Sequence, residues 1–341
     1  MSISVCIPTF NRPKSLLNCL NSLDNQTNKN FEVCISDNCS DEDISSLIEP
    51  FKRKLKINFN KNIENLGAAL NFMKVASMAK NDFIWFLGDD DLLLSNAVGD
   101  IQKYIEKNRD CDFFWVNSYH LDYKYLENFE YPFNTKNLPK NMERLSKKKE
   151  SKKLRFFDLI SHKISFDCLL GVFTCVFKRE GWNKNLNIID YNLIKDKRSW
   201  SNFENTCFHI KIFCEAFSKS NAYLLSNPLS VNLYGIREWK SIYPLVEIVR
   251  IPEALDYYRS KGLNFYQYIY EKNYSLRNFF NYFTKILIRG DEMGRNYIRF
   301  KDHILKNLIY PNAWLSIFYF FFRKINTLFY YCKRKMISKQ K

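Results

Sequence analysis

Three consecutive carboxylates, Asp89, Asp90 and Asp91, follow the apolar run "FIWFL" (residues 83–87), with only Gly88 between. Adjacent like charges repel, so the triplet needs either full solvation or a counter-cation. Hard divalent cations such as Mg2+ or Mn2+ take oxygen ligands, and one or two carboxylates plus substrate phosphates often hold them. Taken alone, the triplet also reads as a bare acidic turn at a surface. Other polar groups stand at comparable places along the chain. "PTFNR" (8–12) offers the Thr9 hydroxyl, the Phe10 ring and Arg12, and "SDNCSDED" (36–43) offers Asp37. "NIENLGAALNF" (62–72) offers Asn62, Asn65 and Asn71, with Gly67 permitting close backbone approach. Assembled, these groups make a pocket with a carboxylate for a base, a stacking surface, amide donors and a cation site.

Such an assembly requires elements that bring four distant stretches together. Hydrophobic periodicity predicts strands at 2–8, 31–37, 56–60, 82–88 and 111–120. Helices are expected between them at 13–26, 41–51, 65–80 and 94–108. Alternating strands and helices imply an α/β protein with a mainly parallel sheet flanked by helices, whose ligands bind at the carboxyl ends of the strands. Each polar stretch above falls at such an end. Residues 121–155 break the pattern; "KNLPKNMERLSKKKESKKLR" is charged and reads as a solvated loop or lid. Regular structure resumes at 156, with "LLGVFTCVFK" (169–178) as a strand pair or a strand bulged at Gly171, and a helix over 200–220. From 244 the chain reads as helical and aromatic.

"SVCIPTFNR", "FEVCISDNCSDED", "NIENLGAALNF" and "DFIWFLGDDDLL" resemble, in order and spacing, the motifs of family 2 glycosyltransferases. The resemblance is good over residues 2–120 and looser over 155–225. It implies the GT-A (nucleotide-diphospho-sugar transferase) fold and transfer of a sugar from a nucleotide-activated donor with inversion at the anomeric carbon. By resemblance, Pro8, Thr9 and Phe10 contact the nucleotide, Arg12 lies near phosphate or ribose, and Asp37 accepts a hydrogen bond from the base. Asn65 and Gly67 line the nucleotide pocket and Asn71 supports it from its helix. Asp89, Asp90 and Asp91 supply the D-x-D element that holds Mg2+ or Mn2+ and the donor diphosphate. The common pattern is Leu-Asp-x-Asp-Asp; here Gly88 takes the first Asp place, so the register is open between Asp90 and an Asp89/Asp91 pair. The "GDDD" form is similar to the subgroup that contains abequosyltransferases.

Inversion needs a base beside the acceptor hydroxyl, which must lose a proton as it attacks. In the family this is an acidic residue before or at the start of a helix in the second half, usually within a Glu-Asp pair that this chain lacks. Glu204, in "FENTCFHI", is the best match, with Asp190 and Asp196 as competitors. Asp167 and His209 are further candidates; on its apolar helix His209 reads more readily as structural.

The formal net charge is +16, yet residues 1–100 hold 10 Lys+Arg against 13 Asp+Glu, so the basic excess lies wholly in the later part. Basic surface of this kind suits phosphates or anionic lipid. Trp314, Phe318, Phe321, Ile325, Leu328 and Cys332 fall on one helix face, among Arg323, Lys324, Lys333, Arg334 and Lys335. "AWLSIFYFFF" is too short to span a bilayer, and suits a helix lying in an anionic membrane surface or packed on the protein's own core. The acceptor expected from charge and family habit is a glycan or lipid-linked glycan at the inner face of the plasma membrane. Ten cysteines without a C-x-x-C pair, and a start that enters a strand directly, predict reduced thiols in the cytoplasm.

The expected organisation is 1–120 for the nucleotide-sugar half, 121–155 for the charged insert, 156–240 for the acceptor half and 241–341 for a helical C-terminal region. Nucleic-acid binding is disfavoured: no zinc spacing, RNP-like motif or helix-turn-helix signature is present, and the motif half is acidic. A dehydrogenase is disfavoured because no G-x-G-x-x-G follows the first strand. A nucleotide-binding scaffold without turnover is the remaining rival.

Overall fold

A computed structural model describes residues 1–198, 200–235 and 241–322. The chain divides into two compact units, residues 1–238 and 239–341.

The first unit opens as the periodicity predicts. β1 (Ile3–Thr9), α1 (Pro13–Asp24), β2 (Glu32–Asp37), α2 (Ile44–Lys52), β3 (Lys56–Lys61), α3 (Ala68–Ser77) and β4 (Phe83–Phe86) follow in order. Pro13 at the first position of α1 costs no hydrogen bond there, and Asp43 caps α2 by accepting from Ser45 N and Ser46 N. Next come β5 (Asp91–Leu93), α4 (Ala97–Lys107), β6 (Cys111–Asp122), β7 (Glu143–Arg144), β8 (Lys152–Arg155) and β9 (Cys175–Lys178). The unit ends with α5 (Arg179–Lys184), α6 (Tyr191–Ile194), α7 (Phe203–Phe217) and β10 (Asn221–Tyr234).

The sheet runs β3-β2-β1-β4-β9-β6-β10-β5, with β7 against β6 and β8 against β10. β1 to β4 are mutually parallel, and β6 is parallel to β10. β9 lies antiparallel between β4 and β6, and β5 antiparallel on β10. One side of the sheet buries Ile3, Val5, Ile7, Val33, Ile35 and Trp85 under Leu16, Leu20, Ile48, Val98 and Ile101 of the helices. A second, aromatic cluster joins Phe86, Phe177, Trp182, Phe213 and Phe217 at ring separations of 4.9–6.2 Å.

Three stretches depart from expectation. Residues 123–155 form a strap whose first part is packed on the sheet, while the charged stretch 136–155 stays largely exposed, as expected, and adds the short strands β7 and β8. Leu126 and Phe133 are buried with Leu92, Val231 and Leu233, and Phe133 N donates to Asn18 Oδ1 at 2.7 Å. The buried residues that anchor it, Leu126 and Phe133, stand singly in the sequence and carry no periodic signal. Within 169–178 only Cys175–Lys178 is a strand, and Val172–Thr174 form a single 3-10 turn before it. Gly171 is not a bulge: a Cβ there would lie 2.6 Å from Asp167 Oδ2, which accepts from Gly171 N at 2.9 Å. Asp91, Leu92 and Leu93 form an edge strand of their own, which the alternating pattern does not reveal.

The second unit is helical over Ile251–Ser260, Phe265–Ser275 and Phe279–Arg289, and again over 311–322. No helix among the described residues is long and apolar enough to cross a membrane. Trp314, Phe318 and Phe321 are 53%, 72% and 55% exposed. Ile325, Leu328, Cys332 and the basic residues from Arg323 onward lie outside the described residues. Among the described residues no disulfide is present.

Candidate active site

The strand ends carry the predicted side chains into one polar region, and Thr9 at the end of β1 is its junction. The Thr9 hydroxyl donates to Asp89 Oδ2 at 2.8 Å. Its carbonyl accepts from Asn38 N at 2.9 Å and from Asn71 Nδ2 at 3.4 Å. The acidic triplet after β4 and the amide groups after β2 and β3 are therefore built onto the same residue.

On the amide side the contacts form a ladder. Asn62 Nδ2 donates to Asn38 Oδ1 at 3.1 Å and to Asn71 Oδ1 at 3.0 Å, and Asn71 Nδ2 donates to Ser36 O at 3.0 Å. Asn38 Nδ2 donates to Asn65 Oδ1 at 2.8 Å, which also accepts from Gly67 N at 2.8 Å. Gly67 caps α3 at φ +84, a left-handed backbone that disfavours any residue with a Cβ. A Cβ there would also come within 3.4 Å of Lys197 Cα. Sequence reasoning identified Asn65, Gly67 and Asn71; the linking role of Asn38 and Asn62 emerges only from the contacts.

Asp37 ends β2 fully buried. Its Oδ1 accepts from Ser40 N at 3.0 Å and from Ser40 Oγ at 2.5 Å, and Ser40 Oγ in turn accepts from Asn11 N at 2.8 Å. Its Oδ2 is buried without any hydrogen-bond partner. A buried carboxylate oxygen in that state costs about 1–3 kcal/mol, so it is an acceptor waiting for a donor. Phe10, 39% exposed, presents its ring from the neighbouring turn, where Asn11 takes a left-handed φ of 51°. Pro8 pairs with Ser36 in the parallel register beside it.

The triplet is buried: Asp89, Asp90 and Asp91 are 5%, 6% and 2% exposed. Arg12 Nη1 lies 3.3 Å from Asp89 Oδ1 and 3.8 Å from Asp90 Oδ2. Burial and the adjacent Asp90 push the Asp89 carboxyl up to about 7, against the opposing pull of Arg12 and Thr9. Asp91 is anchored by Asn232 Nδ2, which donates to Asp91 Oδ1 at 2.8 Å across the β5–β10 pair. Asn232 was not foreseen, because β10 lies 141 residues on in the chain.

Gly88 explains the departure from the common acidic pattern. A Cβ at this position would sit 2.7 Å from Asp90 Oδ1 and 2.8 Å from Asp91 Oδ2. The two carboxylates converge on the space that a side chain would fill. Their hard oxygens, close together in a buried cluster, fit a divalent cation. Among the described residues no three His, Cys, Asp or Glu side chains surround a common point, so such an ion would draw its remaining ligands from substrate or water.

The acceptor-side candidates differ in their engagements. Asp190 caps α6, accepting from Asn192 N at 2.9 Å and Leu193 N at 3.4 Å. Asp196 takes a bidentate pair from Arg198 at 2.9 and 2.7 Å and a bond from Ser201 Oγ at 2.7 Å, and these hold its carboxyl well below the usual range. Asp167 is half-buried, bonded to Ser165 Oγ and Gly171 N, with its carboxyl raised by desolvation. His209 Nε2 meets Leu169 O at 3.1 Å, and burial lowers its imidazolium to about 4, which keeps the ring neutral. Glu204 stands in the first turn of α7, 7% exposed, with Oε1 on Lys211 Nζ and Oε2 buried without a partner.

This sheet, with its ligand groups at the carboxyl ends of β1, β2 and β4, has the GT-A architecture. It superposes on the S. aureus TarS 1–349 structure in complex with UDP with a TM-score of 0.56 at 17% identity, covering 82% of this chain and 72% of that one. Residues 4–170 match the family described as Glycosyl transferase family 2, so that this half of the chain is similar to that family. Abequosyltransferase RfbV of Salmonella typhimurium is 32% identical over 148 residues, 39% of this chain and 44% of the relative. The GalNAc(5)-diNAcBac-PP-undecaprenol beta-1,3-glucosyltransferase of Campylobacter jejuni is 33% identical over 104 residues, 30% of this chain and 33% of the relative. The matched segment therefore spans less than half the length of either relative.

Proposed function

We propose that the chain is an inverting glycosyltransferase that moves a hexosyl or related sugar from a nucleotide-diphosphate donor to a glycan or lipid-linked acceptor in bacterial surface polysaccharide or lipooligosaccharide assembly. The observation that carries this reading is the convergence at Thr9 of a buried acidic triplet with the amide ladder beside Asp37. A nucleoside diphosphate has a matching layout, with base N–H groups at one end and a doubly charged pyrophosphate at the other.

In this reading the open Asp37 Oδ2 accepts from the base while Phe10 and Pro8 border the ring. Asn65 and Gly67 line the ribose side, and Arg12 faces phosphate. Asp90 and Asp91, with Asp89 behind them, would hold Mg2+ or Mn2+. A cation bound there supplies charge neutralisation for the departing diphosphate. Arg12 adds a fixed positive group where negative charge develops. Glu204, with one oxygen unengaged, is the base; Asp190 and Asp196 are held by their own turns.

The lipid-linked acceptor rests on the Campylobacter relative's printed substrate and on charge. In the second unit Trp314, Leu315, Phe318, Tyr319 and Phe322 are all exposed, and residues 323–341 contain seven Lys/Arg and no Asp/Glu. Aromatic and basic groups so combined suit peripheral contact with the anionic inner face of a plasma membrane. Sedimentation with phosphatidylglycerol vesicles, weakened by salt and absent with phosphatidylcholine vesicles, is the expected behaviour. Equal sedimentation with both would count against it.

Calorimetry with UDP, GDP, CDP and dTDP, with and without Mn2+, tests the donor site, and diphosphate release from the corresponding sugars tests turnover. Binding of one nucleotide, strengthened by the cation, is expected. No heat with any of them would remove the reading, and binding with no release from any donor would favour the nucleotide-binding scaffold.

A further inference from the structure

We propose that Lys211 is a positioning residue for the transfer step: by holding Glu204 Oε1 it leaves Glu204 Oε2 as the atom that takes the acceptor's hydroxyl proton. This rests on the reading of the chain as a glycosyltransferase with Glu204 as base.

The pair is enclosed. The Lys211 and Glu204 side chains are 13% and 9% exposed, and the ammonium group contacts Oε1 directly. Oε2 is equally buried and has no partner. Removing a carboxylate from water is costly unless its lone pairs are satisfied, so a purely structural ion pair would engage both oxygens. Here one oxygen is fixed and the other is kept open. The two residues stand seven positions apart on α7, and the helix departs from regular geometry between them at Cys207 (φ −119, ψ 22). Lys211 reaches back across that break.

Three contacts tie the first turn of α7 to the donor loop. Asn205 Nδ2 donates to Asp196 O at 2.9 Å and to Arg198 O at 2.8 Å. Lys197, between those two, packs its Cα 3.4 Å from where a Cβ on Gly67 would stand. Phe208, one turn beyond Glu204, meets Phe72 of α3 with ring centres 5.9 Å apart. The surrounding charged and titratable groups are otherwise occupied: Asp196 by Arg198 and Ser201, Asp167 by Ser165 and Gly171, and His209 by Leu169. Glu215 follows Lys211 one turn further along α7.

The step balances as follows. The acceptor oxygen attacks the anomeric carbon and forms the new C–O bond as its proton passes to Glu204 Oε2. The bond from the anomeric carbon to the β-phosphate oxygen breaks, and its electron pair leaves with the nucleoside diphosphate. Glu204 then returns the proton to solvent. Lys211 touches neither sugar; it stops the carboxylate from rotating and presenting its other oxygen.

The test uses the full chain, a donor panel of UDP-, GDP-, CDP- and dTDP-sugars, and an organic extract of bacterial membranes as the acceptor pool. Glu204→Gln and Lys211→Met should each lower kcat by about 10²-fold, with donor KM and nucleoside diphosphate affinity unchanged. Lys211→Arg should recover most of the rate. In the Glu204→Gln background, Lys211→Met should cost nothing more, because its effect passes through that carboxylate. If Lys211→Met unfolds the chain, Lys211→Gln and Lys211→Arg carry the same comparison. A Lys211 variant at full rate, a loss confined to KM, or an equal loss with and without Glu204 would overturn the proposal while leaving the transferase reading standing. A wild-type chain that binds none of the nucleotides overturns that reading itself.

Discussion

At the ends of β1, β2 and β3 the polar side chains bond to one another across loops; beside α7 most of them bond within their own turn. Asn38, Asn62, Asn65 and Asn71 bond to one another across 9–27 residues, Asn71 reaches Ser36 across 35, and Thr9 reaches Asp89 across 80. Asp190 and Asp196, by contrast, find their partners two to five residues away. A long-range network fixes a shape before any ligand arrives, as binding a rigid nucleotide requires. A locally satisfied carboxylate stabilises its own loop and has little left to offer a substrate. Glu204 breaks the second pattern, since its partner is two helical turns off and one of its oxygens has none.

The sharpest way to break this contrast is to exchange carboxylates between the two sides. Asp90→Ala is expected to lower diphosphate release by about 10²–10³-fold, the scale set by losing a group that answers developing charge. Asp196→Ala should change it only a few-fold. Equal losses, read from initial rates with the same donor, would erase the distinction.

His209 separates structural from catalytic burial. Folded, it stays neutral down to about pH 4 because burial disfavours its charge, whereas the unfolded ring protonates from about 6.5. Between those values the unfolded chain binds more protons, so the contribution is complete above pH 6.5 and is lost as pH falls towards 4. The span corresponds to about 3 kcal/mol. His209→Gln, whose amide can still donate to Leu169 O, should flatten the fall in Tm between pH 6.5 and 4. An unchanged slope would mean that other groups set the acid limb.

The ladder itself is the next target. Asn71→Leu removes the acceptor of Asn62 and a donor to Ser36 O within a buried network. The unsatisfied partners set an expected loss of about 2–3 kcal/mol, visible as a lower denaturation midpoint, along with weaker nucleotide binding. A loss of binding with no loss of stability would show the ladder to be ligand contact rather than scaffold.

How much of this could be read from the chain follows the same division. β1 to β4 and their loops were readable because each motif is a run of neighbours: an apolar strand, then polar groups within four residues of its end. Gly67 and Asn71 came from the amide and small residues of "NIENLGAALNF" and its resemblance to the family motif. Asn232 and the edge strand Asp91–Leu93 were not readable, because that pairing joins residues 141 apart and neither member has a motif of its own. The packed first part of the strap at 123–155 escaped because its anchors, Leu126 and Phe133, stand singly in the sequence. Gly88 looked like a defect in an acidic motif until the carboxylates on either side of its missing Cβ were placed. Glu204 stood ahead of Asp190 and Asp196 in sequence only by its likeness to the family pattern, since what separates them physically is which oxygens are already engaged.

The smallest expected effect concerns Asp190. As the cap of α6 it accepts from two backbone N–H groups that would otherwise lie open at the helix start. Asp190→Ala should therefore cost about 0.5–2 kcal/mol of stability. Asp190→Asn and Asp190→Ser, which keep a capping acceptor but carry no charge, should recover most of it. Diphosphate release by all three should stay close to that of the unaltered chain once measured below their unfolding temperatures. A base would respond in the opposite order: Asn and Ser would fail along with Ala in turnover, whatever they restored in stability. The serine variant is the most telling, because it preserves the cap and abolishes the carboxylate. Full activity there would leave Asp190 to its helix and the proton to Glu204.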